Sequence, residues 1–383
     1  FHFKKENNGS DGGFCNTQKS PERNSFHIMQ LVLLLIFFYT VTGSTNAQTI
    51  RYVKAGATGS GTSWTDDSGD LQAAINASVA GDQVWVARGT YKPKYRADNM
   101  SSANANDRNN AFVLKKDVKI YGGFAGTETT LAQRDLSVLA NRALLSGDIG
   151  ATGDNSDNAY HVVISAGDAG TSELNGFTVS GGNADGIGGI SINSQVLSNS
   201  LGGGIYNSQS SPILSNLIIK GNSTSTGGGG IFNLSSSAVL NNIVISGNAA
   251  SFGGGIENFQ STTFLTNVTI SGNTASSGGG IQNYSSSPTI HNTIIYGNSS
   301  GINNSDVNSI PMIGYSLVQG SADVTNGNID GSADPKFVSP VTAGLNTGGD
   351  YHLQPGSPVI NAGNNTYYNA GQMPDLSAIT TDL

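Results

Sequence analysis

GGGIYN at 202–207, GGGIFN at 228–233, GGGIEN at 253–258 and GGGIQN at 278–283 are one phrase written four times, at steps of 26, 25 and 25 residues. A second phrase keeps the same step: SNLIIKGN ends at Asn222, NNIVISGN at Asn248, TNVTISGN at Asn273 and HNTIIYGN at Asn298. A fixed period of this size means one supersecondary unit stacked on copies of itself. Each unit holds three short pieces: Gly-Gly-Gly-Ile-x-Asn, a brief run such as Pro212-Ile213-Leu214-Ser215, and a β-branched run such as Ile243-Val244-Ile245. Runs of Ile, Val and Thr punctuated by Gly, Asn and Ser read as strands. None of the pieces reaches helical length, and their glycines weaken a helix. A coil of this length buries no core alone, but stacked coils do, with parallel strands about 4.8 Å apart. The reading is an all-β right-handed parallel β-helix solenoid.

Competing repeats fit worse. A leucine-rich repeat needs an L-x-x-L-x-L frame, which is missing here, and a propeller needs longer units. The nonapeptide calcium β-roll needs Gly-Gly-x-Gly-x-Asp, and positions 201–300 contain no Asp. Stacking accounts for the fixed letters. Ile205, Ile231, Ile256 and Ile281 lie above one another facing inward, and the glycines before them permit positive φ and a close approach of coil to coil. Asn216, Asn242, Asn267 and Asn292 sit between the second and third strands. In register they are expected to form an amide ladder and to take the left-handed conformation of a sharp turn. Asn207, Asn233, Asn258 and Asn283 form a second column of the same kind.

The motifs resemble those of a known group. The Gly-Gly-Gly-Ile and Asn phrases are similar to the repeats of bacterial polymorphic outer-membrane proteins, within the pectin-lyase-like β-helix superfamily. Arg51-Tyr52-Val53-Lys54, Asp70-Leu71-Gln72-Ala73-Ala74-Ile75 and Gly81-Asp82-Gln83-Val84-Trp85-Val86-Ala87 look like the entry segment of secreted bacterial β-helix proteins. Asp334-Pro335-Lys336-Phe337-Val338 and Asp350-Tyr351-His352-Leu353-Gln354-Pro355-Gly356-Ser357-Pro358 resemble a choice-of-anchor type of C-terminal module. The resemblance spans roughly residues 50–380. It implies the fold and export to the cell surface, and it carries no catalytic signature.

The ends fit that expectation. Residues 1–28 read as an upstream, non-structural segment. Residues 29–47 read as a signal peptide: Met29, an apolar run from Leu31 to Val41, and Thr45-Asn46-Ala47 as a cleavage site. Residues 48–383 read as one β-helix domain. Within it, 48–92 hold the cap and first coils, 93–110 a projecting loop, and 111–200 irregular coils. The four regular repeats fill 201–300, and degenerate C-terminal coils fill 301–383, where the chain stops without an obvious finish. Ser68, Leu71, Ala74, Ile75 and Ala77 suggest a short amphipathic helix covering the first coil. The single cysteine, Cys15, precedes Met29, so residues 48–383 have no thiol for a disulfide or a metal. A net charge of −8 gives no basic stripe for nucleic acid, and no segment of 48–383 is apolar enough to cross a membrane.

Positions 201–300 carry two charged residues, Lys220 and Glu257. A glycoside hydrolase needs two carboxylates flanking the bond, and a polysaccharide lyase needs cation-binding carboxylates and a base. The regular coils offer neither, and His291 reads as a turn residue. Charges gather in two earlier places. Asp148, Asp154 and Asp157, near His161, predict a hard-cation site for calcium; the alternative for the same residues is a set of Asx turns on a solvated loop. The loop 93–110 combines Arg96, Asp98, Asp107 and Arg108. The variable letter of Ile-x-Asn should face away from the core, since strand side chains alternate. Tyr206, Phe232, Glu257 and Gln282, with Leu234, Phe259 and Tyr284 after the Asn, are thus expected on the outside. There the aromatics form a stripe for sugar rings or a protein partner; alternatively they cover the glycine turns. The functional expectation is a secreted or cell-surface scaffold, non-enzymatic, acting as adhesin or as a module for extracellular glycans or surface proteins. The alternative is a lyase or hydrolase of the pectin-lyase-like type, with its site off the regular coils.

Overall fold

The computed structural model describes residues 48–138 and 141–368. The signal-peptide segment 29–47, the upstream residues and 369–383 lie outside the described residues. From Phe112 to Val318 the chain winds as a right-handed parallel β-helix, the hand that parallel crossovers adopt. The first strands of successive coils form one parallel sheet: Phe112–Val113, Val163–Ala166, Ile205–Ser208, Ile231–Leu234, Ile256–Phe259, Ile281–Tyr284 and Ile302–Asn304. Second and third strands form another, in which Val239–Ser246 and Phe264–Ser271 run through both positions of their coil. Register is unbroken across the repeats: Ile205 pairs with Ile231, Ile231 with Ile256 and Ile256 with Ile281.

The core follows from that register. Ile205, Ile231, Ile256 and Ile281 stack with Leu214, Leu240, Leu265 and Ile290 from the second strands and Ile219, Ile245, Ile270 and Ile295 from the third. The second and third strands meet at Asn216, Asn242, Asn267 and Asn292, whose φ values of 54, 54, 56 and 49° are left-handed. The Asn216 amide donates to Asn175 Oδ1 and accepts from Asn242 Nδ2. At Asn292 the side chain does something else: it brackets the Asn364 backbone, accepting from its N–H at 2.8 Å and donating to its carbonyl at 3.2 Å. The first-strand column Asn207, Asn233, Asn258, Asn283 and Asn304 is a continuous ladder, each Nδ2 donating to the next Oδ1 at 2.8–2.9 Å. A third ladder, Asn222, Asn248, Asn273 and Asn298, runs along the corner after the third strand.

Several segments depart from the repeat. The helix Leu71–Ala77 is capped by Asp70, not Ser68, and packs Leu71, Ala74 and Ile75 into the end of the core. Residues 93–110, expected as a projecting loop, are exposed at 98–99 and 101–106 and carry structure of their own. They form an antiparallel pair, Tyr95–Arg96 with Asn99–Ala103, whose Ala97 and Met100 pack inward. The stretch 301–368 contains one further coil, ending at Leu317–Val318, on which Ile329 makes an isolated parallel bridge to Leu317. Beyond it the chain turns back along the solenoid. Its antiparallel pair Phe337–Ser339 and Asp350–Leu353 and the segment to Asn365 wall the third-strand face.

Candidate functional site: a cleft on the third-strand face

The column Tyr206, Phe232, Glu257 and Gln282 points away from the isoleucine core, but it is not exposed: the four residues keep 1, 3, 9 and 4% of their surface. Two features cover them. The side chains lie over the turn at the first glycine of the phrase, where φ is 58–71°; Phe232 Cβ sits 2.6 Å from where a Cβ on Gly228 would fall. A second apolar layer then seals the N-terminal half. The hairpin Gly189–Ile192 with Gln195–Ser198 brings Ile190, Ile192 and Leu197 onto Tyr206 and Phe232, whose rings meet edge to face at 5.0 Å. Gln282 is held by Ser277, Asn303 and Ser305. The expected aromatic stripe therefore does not form. Phe259 is half-buried, and only Tyr284, stacked on it at 4.7 Å, reaches 42% exposure.

Glu257 is the one anion in this column, and its Oε2 is buried without a partner. Burial pushes its carboxyl up from 4.5 to about 7. Below pH 4.5 the group is protonated in folded and unfolded chains alike. Between pH 4.5 and about 7 the unfolded chain releases the proton and the folded chain keeps it, so stability falls as pH rises. The loss amounts to about 3 kcal/mol and is complete above pH 7. Glu257→Gln is expected to flatten this slope and to raise the melting temperature at pH 8. Parallel melting curves for the two proteins from pH 4.5 to 8 would refute it.

The acidic loop does not gather its carboxylates. Asp148 accepts from Gly153 N–H and lies 3.5 Å from Lys92 Nζ, Asp154 caps Ser156, and Asp157 accepts from Ala151 N–H. Each carboxylate is used by its own turn, and among the described residues no group of three acidic, His or Cys side chains is placed to hold a metal. His161 is fully packed, its Nδ1 at 2.9 Å from Gly202 O, and burial pushes it down to about 4. In the 93–110 segment Arg96 is bonded to Asp98 and Asp107, while Arg108 reaches Asp185 and the carbonyls of Asn158 and Asn183. These charges fasten loops.

What the structure does open is a cleft of about 730 Å³ on the third-strand face. Its floor is the outward position of successive third strands, paired in register: Thr178, Ile218, Val244, Thr269, Ile294 and Leu317. Five strand spacings make this floor about 24 Å long. Gly348 to Leu353 and Val359 to Asn365 form the wall. That wall is attached by Gly344 N–H to Gly272 O at 3.1 Å, by Asn346 N–H to Gly247 O at 2.8 Å, and by the bracket at Asn292. Tyr367 also stacks on His291, at 4.1 Å and 13°. Arg142, Lys220, Tyr315, Tyr351, Asp350 and His352 line the cleft beside the apolar floor. The Asp350 carboxylate is engaged at 2.6 Å by His352 Nδ1.

None of the residues singled out for binding in the sequence lies in this cleft. The signal available was indirect: Lys220 stands alone as a cation among the repeats, and Ile218, Val244 and Ile294 supply apolar letters at outward positions. Comparisons add one finding about the fold. No protein-family model matches the chain, and no curated protein matches it. The chain is similar to the crystal structure of the pectate lyase Pel9A, at 14% identity and a TM-score of 0.42, over 83% of this chain and 92% of that one. The likeness is one of fold.

Proposed function

We propose that the protein is an exported, non-catalytic β-helix scaffold that binds an extended glycan in the cleft on the third-strand face. The carrying observation is the cleft itself. It crosses six stacked strands, combines aliphatic floor residues with Thr178 and Thr269, and carries Tyr315 and Tyr351 on its sides. Apolar ring faces and hydroxyls on one extended chain fit such a surface, since binding sites pair apolar walls with a few placed polar groups. Export is supported by the signal-like stretch 29–47. The absence of catalysis is supported by the lining, in which Asp350 is the one carboxylate and is engaged by His352; hydrolysis of a glycosidic bond takes two. A catalytic reading is favoured by the presence of Lys220, Arg142 and His352 in the same cleft. One experiment decides. Residues 48–383 are applied to a glycan array and incubated with the bound polysaccharides. Binding with no new reducing or unsaturated ends is expected; release of such ends makes the protein an enzyme, and no binding removes the glycan reading.

A further inference from the structure

We infer that the Arg142 and Lys220 end of the cleft takes an acidic group, a carboxylate or a sulfate, carried on the bound chain; this rests on the glycan-binding reading above. Both cations line the cleft: Lys220 ends the strand that carries Ile218, and Arg142 directly precedes the strand Ala143–Ser146, one coil before Thr178. Arg142 is 8% exposed, and its guanidinium donates only to backbone: Nη1 to Asn216 O at 3.0 Å and Nη2 to Leu136 O at 3.3 Å. Its Nε is buried and has no partner. Lys220 is half-buried between Ser180 and Ser246 of the neighbouring strands. Among the described residues neither forms an ion pair, although seven other pairs are formed.

Two desolvated cations facing one cleft without an ion-pair partner are costly unless an anion completes them. The cost is visible in their protonation. Burial lowers both, Arg142 to about 10 with Arg134 adding repulsion. A bound carboxylate or sulfate stabilises the charged forms that burial disfavours and offers guanidinium a charge-assisted bond. The chain as a whole carries net charge −8, so attraction of an acidic chain is local to this end and is no general property of the surface. The other titratable groups on the cleft are Asp350, His352, Tyr315 and Tyr351. Of these, Asp350 is the one that repels an anion, and its carboxylate is engaged by His352.

The test is calorimetric titration of residues 48–383 with three oligosaccharides of equal length: an oligogalacturonate, a sulfated galactan fragment and a neutral cello-oligosaccharide. At least one acidic chain is expected to bind about tenfold more tightly than the neutral one, with an affinity that falls as salt is raised. Lys220→Gln, which removes a half-buried head group and leaves the strand intact, is expected to abolish that preference. Arg142→Lys, which keeps the charge but loses the fork, gives a second, partial loss. Equal affinity for acidic and neutral chains, or an acidic preference that survives Lys220→Gln, overturns the anion site and leaves the glycan reading standing. Binding to none of the chains overturns both.

Discussion

Asn248→Ala is expected to lower the unfolding free energy by about 3–5 kcal/mol. The Asn248 side chain uses its full bonding capacity inside the corner ladder. Oδ1 accepts from the backbone N–H and the side-chain amide of Asn222, both at 3.0 Å, and Nδ2 donates to Ile219 O at 3.0 Å and Asn273 Oδ1 at 2.9 Å. All four bonds are buried. Alanine deletes them and leaves the Asn222 backbone N–H without its acceptor in a dry corner, where an unpaired group keeps its desolvation penalty, while the Asn222 amide retains only the carbonyls of Val179 and Lys220. The ladder also binds coil to coil, so the loss falls on an interface between repeats, where a solenoid's stability resides. Urea denaturation of the wild type, Asn248→Ala and a control at the exposed Asn308 measures it. A loss at Asn248 no greater than at Asn308 would show that the ladder is decorative.

Gly255→Ala is the second large effect, a loss of about 3 kcal/mol or more through overpacking. The first glycine of each phrase is required by its backbone, with φ of 58° at Gly253. The third is required by space alone. A Cβ on Gly255 would fall 2.6 Å from Gly280 O of the next coil and 2.8 Å from Ile270 Cγ2. Neither gives way cheaply, because one is a backbone carbonyl already bonded to Ile256 N–H and the other is core. Gly153 supplies the contrast. Its φ is 84° but no atom lies within 4 Å of the added Cβ, so alanine there brings only left-handed strain of about 1–2 kcal/mol. Thermal and urea unfolding of both variants compares the two costs. A Gly255 variant as stable as the Gly153 variant would mean that the coils have room to separate.

Local repetition made the fold legible and left the candidate site hidden. The period, the inward isoleucines and the left-handed asparagines each depend on residues within one coil and its copy, and a sequence displays copies directly. Asn222, Asn248, Asn273 and Asn298 stood in the repeated phrase, yet their role needed the corner geometry that turns each amide into a bridge. Burial of Tyr206 and Phe232 was out of reach for a different reason. The residues that cover them, Ile190, Ile192, Leu197, Ala97 and Met100, belong to non-repeating hairpins, and docking of one such hairpin on a periodic face leaves no mark in either segment. The cleft has the same origin. Its floor is periodic, but its wall comes from residues 344–365, which return along coils laid down far earlier in the chain.

The central claim is that ligand binds between the third-strand floor and the returning segment. Thr269, at the middle of the floor, offers the sharpest probe: Thr269→Trp fills the cleft from a half-buried, outward position. Titration of the glycan selected on the array is carried out with the wild type, with Thr269→Trp and with the double variant Phe259→Ala, Tyr284→Ala. Thr269→Trp is expected to weaken binding by tenfold or more, as a bulky group does in an occupied site, and the double variant to bind as the wild type does. Unchanged binding by Thr269→Trp together with loss in the double variant would contradict the claim and move the site to the exposed aromatic pair at the end of the first strands.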